Sequence, residues 1–478
     1  MLYITVFGVY FDVRFIKFIF SRLFFCISFI AVIFAAIIFL CLYLHSLLPA
    51  ALGVAVAYAL SLACALFLFC RDGRNDYKCA WLALIAALPV VGVLLYAFSC
   101  TGTPKRNDNP PPPPLTTYDE CEYFKDGARY LSRLRACVAE AKSEVFLEYY
   151  IISKGQIWGL LCKELEKALG RGVCVKIIYD GLGSAMHAPK KDFKRLVKCG
   201  ATIKVFNKLL PFPVSRLNCR NHRKIAAIDG NTVFLGGVNI ADEYANINSP
   251  HGYWKDGGIM MRGSVAARYR DVFLADFSKD NGAPQSDNDD ALKQAESGDI
   301  HAKAVRIVAD EPANVNGICE ELVTAKIYSA SERVCIFTPY LCVGEKLKDA
   351  LLFAAGRGAR VQIIIPEVPD KRLTFEITLT FASELAAHGI EVYRYKPGFM
   401  HAKCILCDDE VLLGSYNFDY RSMRLNYECG VWVSGELVQN AVDDFKESLI
   451  ISSRMDGRNV SLMRRAVRGT LKLFSPLV

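Results

Sequence analysis

The chain has 478 residues, of which 53% are apolar and 22% charged, and its formal net charge is +8. This length suits two or three domains, and the composition excludes a disordered chain, a collagen and a small disulfide scaffold. The excess positive charge is spread thinly. It therefore favours an anionic partner without separating nucleic acid from an acidic membrane surface.

The first 100 residues form a hydrophobic region. Residues 23–70 contain no formally charged side chain, and at about 1.5 Å per helical residue they are long enough for two membrane helices with a break at 45–49. A third apolar run, 80–98, is also long enough to span. We therefore predict two or three transmembrane helices in residues 1–100. A buried hairpin of a soluble protein and a cleaved signal peptide both fit this pattern less well.

Two features of the sequence disagree about the side on which the rest of the chain lies. Basic residues precede the first predicted span and separate the second from the third, so with three spans the positive-inside rule would export the large C-terminal part. Cysteines scattered through that part without framework spacing are instead typical of a protein that faces a reducing cytosol. We favour the cytoplasmic side, which requires one apolar run to be re-entrant or interfacial, and the topology stays open.

The composition changes abruptly after residue 100. Residues 110–114 are five consecutive prolines, typical of a semi-rigid polyproline II spacer; an SH3-type ligand is the alternative. A second polar stretch, 279–299, is rich in Asp, Ser and Asn and is predicted to link two domains. The predicted organisation is a membrane region at 1–100, a Pro-rich linker at 101–118, and domains at 119–290 and 291–478.

The two predicted domains repeat each other. Five segments align in order: 144–152 with 333–341, 165–180 with 351–366, 200–207 with 389–396, 222–229 with 401–408, and 234–239 with 412–417. An offset of about 180 residues indicates a duplicated domain rather than a solenoid. Short β-branched runs alternate with helical segments, so we predict that each half is α/β with a largely parallel or mixed sheet.

Each half contains one His-x-Lys-x4-Asp element. The predicted catalytic residues are His222, Lys224 and Asp229 in the first half and His401, Lys403 and Asp408 in the second. In an extended strand, His and Lys two positions apart point to the same face, so both can reach one phosphoryl group. Two facing imidazoles suit a double displacement, in which one attacks phosphorus and becomes a phosphohistidine while the other protonates the leaving alkoxide. Such a site needs no metal and no cofactor, because Lys and backbone donors supply the electrostatic stabilisation.

A second set of residues is predicted to bind or orient the substrate: Gly237, Asn239, Asp256, Ser415, Asn417 and Glu428. Small residues beside an amide allow the backbone to approach a phosphate closely. Asp256 and Glu428 follow the histidines of their own halves, and each could accept the imidazole N–H that is not used in catalysis, fixing the tautomer.

These paired motifs, at 216–224, 236–244 and 414–428, resemble the phospholipase D superfamily and, within it, bacterial cardiolipin synthases. The resemblance extends to the hydrophobic N-terminus, to Thr338-Pro-Tyr340 and to the segment 366–370. It implies two tandem phospholipase D-type α/β domains that form a pseudo-twofold catalytic body, preceded by N-terminal transmembrane helices.

The resemblance also implies an activity. It implies a phosphatidyltransferase in the bacterial cell membrane, multi-pass, that moves a phosphatidyl group between two phosphatidylglycerol molecules and releases glycerol. The expected partners are phosphatidylglycerol, as donor and acceptor, and the lipid bilayer. Carried over, the resemblance makes His222 the nucleophile, His401 the general acid, and the lysines phosphate ligands.

The acceptor stays open, because the same motifs serve a phospholipase D that uses water and transferases that use serine or ethanolamine. No nucleic acid partner is expected, since the apolar region holds the site at a bilayer and no basic, aromatic-interleaved stripe is present. A scaffold that keeps the fold without catalysis is disfavoured by the two intact motifs.

Overall fold

The structure of the protein, a computed structural model, describes residues 3–6, 9–12, 36–40, 50–71, 75–100, 112–208, 218–279, 303–312, 314, 317–455 and 462–475. The chain divides into two compact units. One consists chiefly of residues 1–103, and the other, here called the α/β body, of most of the chain from residue 104 onwards.

The N-terminal unit contains a two-stranded antiparallel ribbon, a helical stretch at 36–40 and three longer helices. Their bounds are β1 Tyr3–Val6, β2 Val9–Asp12, α1 Ala50–Cys70, α2 Asn75–Ala87 and α3 Pro89–Cys100. Among the described residues, one helix is long and apolar enough to cross a membrane: 19 residues, Leu52–Cys70, with a mean hydropathy of 2.3. The break predicted at 45–49 and most of the stretch before it lie outside the described residues.

The third predicted span, 80–98, is not one helix. It is split into α2 and α3 at Pro89, which lacks the N–H of a continuing helix and disfavours helical backbone in the residue before it. The two helices fold back on each other, so that the rings of Trp81 and Tyr96 lie 5.4 Å apart. Gly92 makes this approach possible, because a Cβ there would lie 2.7 Å from the Cα of Ile85. The segment is a helical hairpin, too short in either arm to cross a hydrocarbon core of about 30 Å.

In the first half of the α/β body, the described residues form seven sheet strands, one short extra strand, four α-helices and a short 3-10 helix at Asp242–Ala245. Their bounds are β4 Glu120–Phe124, α4 Gly127–Glu140, β5 Glu144–Tyr149, α5 Gln156–Gly170, β6 Cys174–Asp180, α6 Lys190–Lys198, β7 Thr202–Phe206, β8 Lys224–Ile228, β9 Thr232–Gly236, β10 Tyr253–Lys255, β11 Gly258–Arg262 and α7 Ser264–Ser278.

The second half repeats this series. Its elements are β12 Ala304–Asp310, α8 Ile318–Ser329, β13 Arg333–Phe337, α9 Glu345–Gly356, β14 Arg360–Pro366, α10 Arg372–Ala387, β15 Glu391–Tyr395, β16 Gly398–Met400, β17 Cys404–Cys407, β18 Glu410–Gly414, α11 Tyr420–Arg424, β19 Glu428–Ser434, α12 Glu436–Ile450, β20 Ser452–Arg454 and α13 Leu462–Phe474. An earlier strand, β3 Leu115–Thr117, joins its sheet.

The strand order confirms the predicted duplication and the mixed sheets. The first sheet runs β4-β11-β9-β8-β5-β6-β7, and the second contains the same succession, β12-β19-β18-β17-β13-β14-β15, with β3 and β20 added at its edges. In each half three consecutive strands are parallel, β5-β6-β7 and β13-β14-β15, and the others pair antiparallel.

The two sheets share one core. Side chains alternate between the faces of a strand, so Phe146 of β5 joins a cluster that also contains Phe337 and Phe445 of the second half. Its neighbours Val145 and Leu147 pack on the other face against α4, α5 and α6. An equivalent cluster lies beneath α8, α9 and α10. The body is therefore layered, with outer helices around the two sheets and with α7 and α12 packed in the shared core between them.

Strand β3 falls within the predicted Pro-rich linker. Residues 101–111 of that linker lie outside the described residues. Leu115–Thr117 pairs antiparallel with β12 at the edge of the second sheet. The chain thus contributes to the second half before it builds the first.

The predicted catalytic residues Asp229 and Asp408 occupy turns at the ends of β8 and β17. Both adopt left-handed backbone, with φ of 53° and 50°, a conformation that Asp tolerates better than most residues. The carboxylate of Asp229 accepts hydrogen bonds from the backbone N–H groups of residues 142–144, at 2.7–3.0 Å. That of Asp408 accepts from residues 331–333, each at 2.9 Å. Each carboxylate ties a hairpin turn to the start of a neighbouring strand.

This geometry predicts a structural role for Asp408. Asp408→Ala should lower the free energy of unfolding by about 1–3 kcal/mol, because three strand N–H groups lose their acceptor. Although burial opposes the shift, those N–H groups lower the pKa of Asp408. The stabilisation should therefore be present above about pH 4 and disappear as the pH falls through the folded-state pKa. Urea unfolding at pH 7 and at pH 3 measures both effects.

The adjacent Asp409 is exposed and provides the control. Asp409→Ala should change the free energy of unfolding by less than about 0.5 kcal/mol. Equal stabilities for the Asp408 and Asp409 variants would show that the turn does not depend on this carboxylate.

Candidate active site

The two histidines are held by backbone hydrogen bonds to the opposite half. His222 precedes β8, and its N–H donates to the carbonyl of Tyr427 at 2.9 Å. His401 precedes β17, and its N–H donates to the carbonyl of Lys255 at 2.7 Å. Strands β10 and β16 extend the second contact as a short parallel pair. Each imidazole is therefore placed at the seam between the halves.

The histidine side chains are paired across that seam. The Nδ1 atom of His222 lies 2.9 Å from both carboxylate oxygens of Glu428, and the Nδ1 atom of His401 lies 2.5 Å from Oδ2 of Asp256. The sequence analysis paired each carboxylate with the histidine of its own half, and that pairing is wrong. The pairs are crossed because β10 and β19 run alongside the histidine of the other half. Because Nδ1 of each ring contacts a carboxylate, Nε2 is the nitrogen that can react with a substrate.

Lys224 and Lys403 lie beside these rings, as the two-residue spacing predicts. The ammonium of Lys224 donates to the His222 carbonyl at 2.6 Å, and that of Lys403 donates to the carbonyl of His401. Burial lowers the pKa of Lys224 to about 7 and that of Lys403 to about 8, although the nearby carboxylates act to raise both values. A bound phosphate anion would raise both values again and keep the lysines charged.

Burial also keeps both imidazoles neutral. It lowers the pKa of His222 to about 4 despite the carboxylate of Glu428. The pKa of His401 is lowered well below its usual range by burial and then by the charges of Lys403 and Lys224. The charges of each half thus act on the histidine of the other, which places the two His-Lys pairs in one site.

The two carboxylates differ in their protonation. Burial raises the pKa of Asp256 to about 7, although Lys403 and the Gly257 N–H act to lower it. Burial would also raise the pKa of Glu428, but His222, Lys224 and the Ser415 hydroxyl lower it below its usual value. Glu428 is therefore an anion at neutral pH, whereas Asp256 and His401 together hold a proton near pH 7.

The remaining predicted orienting residues act on this arrangement indirectly. Ser415 donates to Glu428, and a Cβ at its counterpart Gly237 would lie 2.2 Å from the Asp256 carboxylate, so only glycine fits there. The Asn239 amide donates to the Tyr244 hydroxyl at 2.6 Å and accepts from the Ile151 N–H. The backbone N–H of Asn417 donates to Ser422 at 3.2 Å. In this structure both asparagines are buried and contact protein groups.

Two further side chains donate hydrogen bonds to Oε1 of Glu428. They are the Ser422 hydroxyl, at 2.7 Å, and the Asn426 amide, at 3.1 Å. Both lie in the motif quoted for the family resemblance, but their hydrogen bonds to Glu428 were not predicted.

Sequence analysis missed the aromatic walls. The ring of His401 packs against Tyr244, Trp254 and Phe399, with centroids 5.2–5.7 Å away, and the ring of His222 packs against Tyr150 at 5.2 Å. Tyr150 has no aromatic counterpart at the aligned position in the repeat. Two signals were available: Tyr244 closes the motif at 236–244, and Trp254 lies two residues before Asp256.

Asp229 and Asp408 are not in this site. The residue five positions after each Lys lies at the opposite end of a strand, about 16 Å along at about 3.3 Å per residue. There the two carboxylates bind backbone N–H groups, as described above. Among the described residues, no group of three or more His, Cys, Asp or Glu side chains is placed to hold a metal ion.

Comparisons with known proteins identify the family of this chain. The family described as cardiolipin synthase, phospholipase D-like domain, matches residues 134–256 and 323–449, one match in each half. A cardiolipin synthase of Oceanobacillus iheyensis is 31% identical over 75% of this chain and 75% of its own. A cardiolipin synthase of Listeria welshimeri is 31% identical over 71% of both chains.

A solved structure has the same fold. The phosphatidylserine synthase of Haemophilus influenzae superposes with a TM-score of 0.58 at 14% identity, over 76% of this chain and 94% of that protein. Two matched domains, relatives aligned over most of their length and a shared mixed α/β fold lead to one assignment. The chain belongs to the cardiolipin synthase family of phosphatidyltransferases in the phospholipase D superfamily.

Proposed function

We propose that the protein is a cardiolipin synthase that transfers a phosphatidyl group from one phosphatidylglycerol to another. The products are cardiolipin and glycerol. The observation that carries the proposal is the crossed pairing of two His-Lys sets with Glu428 and Asp256, which gives one site a nucleophile, an acid and two phosphate ligands.

In the first step, neutral His222 attacks the phosphorus of the donor lipid through Nε2. The N–P bond forms as the P–O bond to glycerol breaks, and the leaving oxygen takes a proton from the Asp256–His401 pair. Glu428 accepts from Nδ1 of His222 and stabilises the positive charge that develops on the ring. Lys224 and Lys403 neutralise the phosphoryl oxygens.

In the second step, a hydroxyl of the acceptor phosphatidylglycerol attacks the phosphohistidine. Its proton passes to the Asp256–His401 pair, the new P–O bond forms, and the N–P bond to His222 breaks. The site returns to its starting protonation.

The difference between the two carboxylates supports this division of labour. A charged Glu428 beside a neutral imidazole suits a nucleophile, whereas a pair that holds one proton near pH 7 suits an acid. We therefore keep His222 as nucleophile and His401 as acid and base.

We also propose that the chain is a multi-pass membrane protein whose α/β body faces the cytoplasm. One span before residue 50, α1 as a second span, and the α2–α3 hairpin as a re-entrant element would return the chain to the side of its basic N-terminal flank. This arrangement reconciles the basic residues with the free cysteines of the body. Within it, we keep the domain boundaries at 118/119 and 290/291 as a proposal, with β3 completing the second sheet.

Lipid products provide the direct test of the proposed reaction. Detergent-solubilised protein given labelled phosphatidylglycerol alone should form cardiolipin and free glycerol. His222→Ala and His401→Ala should each reduce the rate by about a thousandfold or more, since each removes a reacting group. Phosphatidic acid as the sole product would identify a phospholipase D, and transfer to serine or ethanolamine but not to phosphatidylglycerol would identify another transferase.

A donor with a p-nitrophenyl head group separates the roles of the two histidines, because its leaving group needs no proton. His401→Ala should release a burst of nitrophenol and retain the phosphatidyl label on His222, whereas His222→Ala should release none. The reverse pattern would exchange the two roles.

The rate should depend on pH through the buried groups. On the acid side, kcat/KM should fall as His222 is protonated, near its pKa of about 4. On the alkaline side, it should fall above about pH 7–8, as Lys224, Lys403 and Asp256 lose their protons. Initial rates at low substrate concentration give this profile, and a rate that still rises at pH 9 would contradict it.

Thiol labelling tests the proposed orientation. Cys174 and Cys199 are exposed on the α/β body. A membrane-impermeant maleimide should label them in inverted vesicles and not in intact cells. The Cys174→Ser/Cys199→Ser variant gives the background, and labelling of both thiols in intact cells would place the body outside.

A further inference from the structure

A carboxylate and a phenol meet beside the site, on loops that no step above has used. Tyr340 follows β13, Asp370 follows β14, and the Tyr340 hydroxyl donates to Oδ2 of Asp370 at 2.5 Å. The Asp370 side chain is 17% exposed. Burial and the adjacent carboxylate raise the pKa of Tyr340 well above its usual range, so the phenol stays protonated.

This pair lies on the His401 side of the site. The Tyr340 ring is 6.3 Å from that of Phe399, which in turn is 5.7 Å from the ring of His401. Burial lowers the pKa of Lys403, and the carboxylate of Asp370 is among the charges that oppose this shift. The pair is therefore one side chain, Phe399, away from His401, the group proposed to protonate the leaving oxygen.

A carboxylate is unexpected at a site for anionic phosphodiesters, since it repels a phosphate group. Its basic neighbour Lys371 is 3.9 Å away and 66% exposed, too open to water to neutralise it strongly. An ionised carboxylate accepts about four hydrogen bonds, and Tyr340 supplies one. The Tyr340 oxygen can itself accept another while it donates to Asp370. Together the two side chains offer acceptors for a neutral ligand that carries hydroxyl groups.

We propose that Asp370 and Tyr340 form the subsite for the glycerol head group, binding the hydroxyl next to the reacting oxygen. The inference rests on the proposed function. When glycerol leaves, its oxygen takes a proton at His401. When the acceptor attacks, its hydroxyl gives a proton to the same residue, forms the P–O bond and displaces His222. Because both alcohols are glycerol and react at the same place, one subsite serves both steps.

The subsite gives the enzyme a reason to prefer glycerol to other alcohols. A partly buried acceptor that must lose water to bind discriminates against an analogue that lacks the matching hydroxyl. The informative competitor is 1-propanol, which has the same primary hydroxyl and lacks the neighbouring one.

The experiment compares these two alcohols as acceptors. Solubilised full-length protein is incubated with phosphatidylglycerol and either labelled glycerol or 1-propanol. The ratio of labelled phosphatidylglycerol to phosphatidylpropanol is then measured. Asp370→Asn should lower this ratio by about tenfold or more, since hydrogen bonds to a charged acceptor are the stronger kind. Asp349→Asn is the matched control, because Asp349 is an exposed aspartate of α9 in the same half, and it should leave the ratio unchanged.

Tyr340→Phe gives a second measurement if the Asp370 variant does not fold, and it should lower the ratio about threefold or more. A ratio that stays at the wild-type value in the Asp370 or the Tyr340 variant overturns the subsite, as does an equal fall in the Asp349 control. A wild-type protein that transfers no phosphatidyl group to either alcohol or to phosphatidylglycerol overturns the proposed function instead. Wild-type transfer without a preference for glycerol overturns only the subsite.

Discussion

The site depends on two imidazole–carboxylate pairs, each of which joins a histidine to a carboxylate of the opposite half. They require that the halves meet with β10 beside His401 and the start of β19 beside His222. Two features stabilise this contact between the halves. One is the shared core between the sheets, and the other is the buried ion pair in which Lys255 Nζ lies 2.6 Å from Asp444 Oδ1. A single half would have a histidine without the carboxylate that orients it, so the site belongs to neither repeat alone.

Duplication did not leave the halves equivalent. Glu428 reaches a serine hydroxyl, whereas Asp256 faces Gly237, where there is room for no side chain. His222, Lys224 and, to a smaller extent, the Ser415 hydroxyl keep Glu428 charged, whereas burial raises the pKa of Asp256 so that it takes up a proton near neutral pH. The two imidazoles therefore contact carboxylates that differ in protonation, although the motifs around them are repeated.

Much of this was predictable from the sequence, and the exceptions have physical reasons. The repeat, the mixed sheets and the His-Lys pairs follow from local patterns, since a strand fixes the face on which alternate residues lie. The crossed pairing does not follow, because the spacing from His222 to Asp256 is the same whichever histidine the carboxylate contacts. For Asp229 the sequence contains the answer. The length of β8 places this residue too far from His222 to act in the site, although its position in the repeated motif favours a catalytic role. The hairpin of α2 and α3 depends on Pro89, a single residue that does not change the apolar composition from which the span at 80–98 is predicted.

Strand β3 has a consequence for the order in which the protein folds during synthesis. It leaves the ribosome before the first half, yet Thr117 pairs with Ala304 of β12, on the far side of that half. Strand β12 in turn lies beside β19, near the end of the chain. The edge of the second sheet therefore cannot close until almost the whole chain has emerged, and contacts so distant in sequence form slowly. The nascent chain therefore carries β3 without its partner at least until β12 has been made, and this edge of the second sheet is completed late rather than domain by domain.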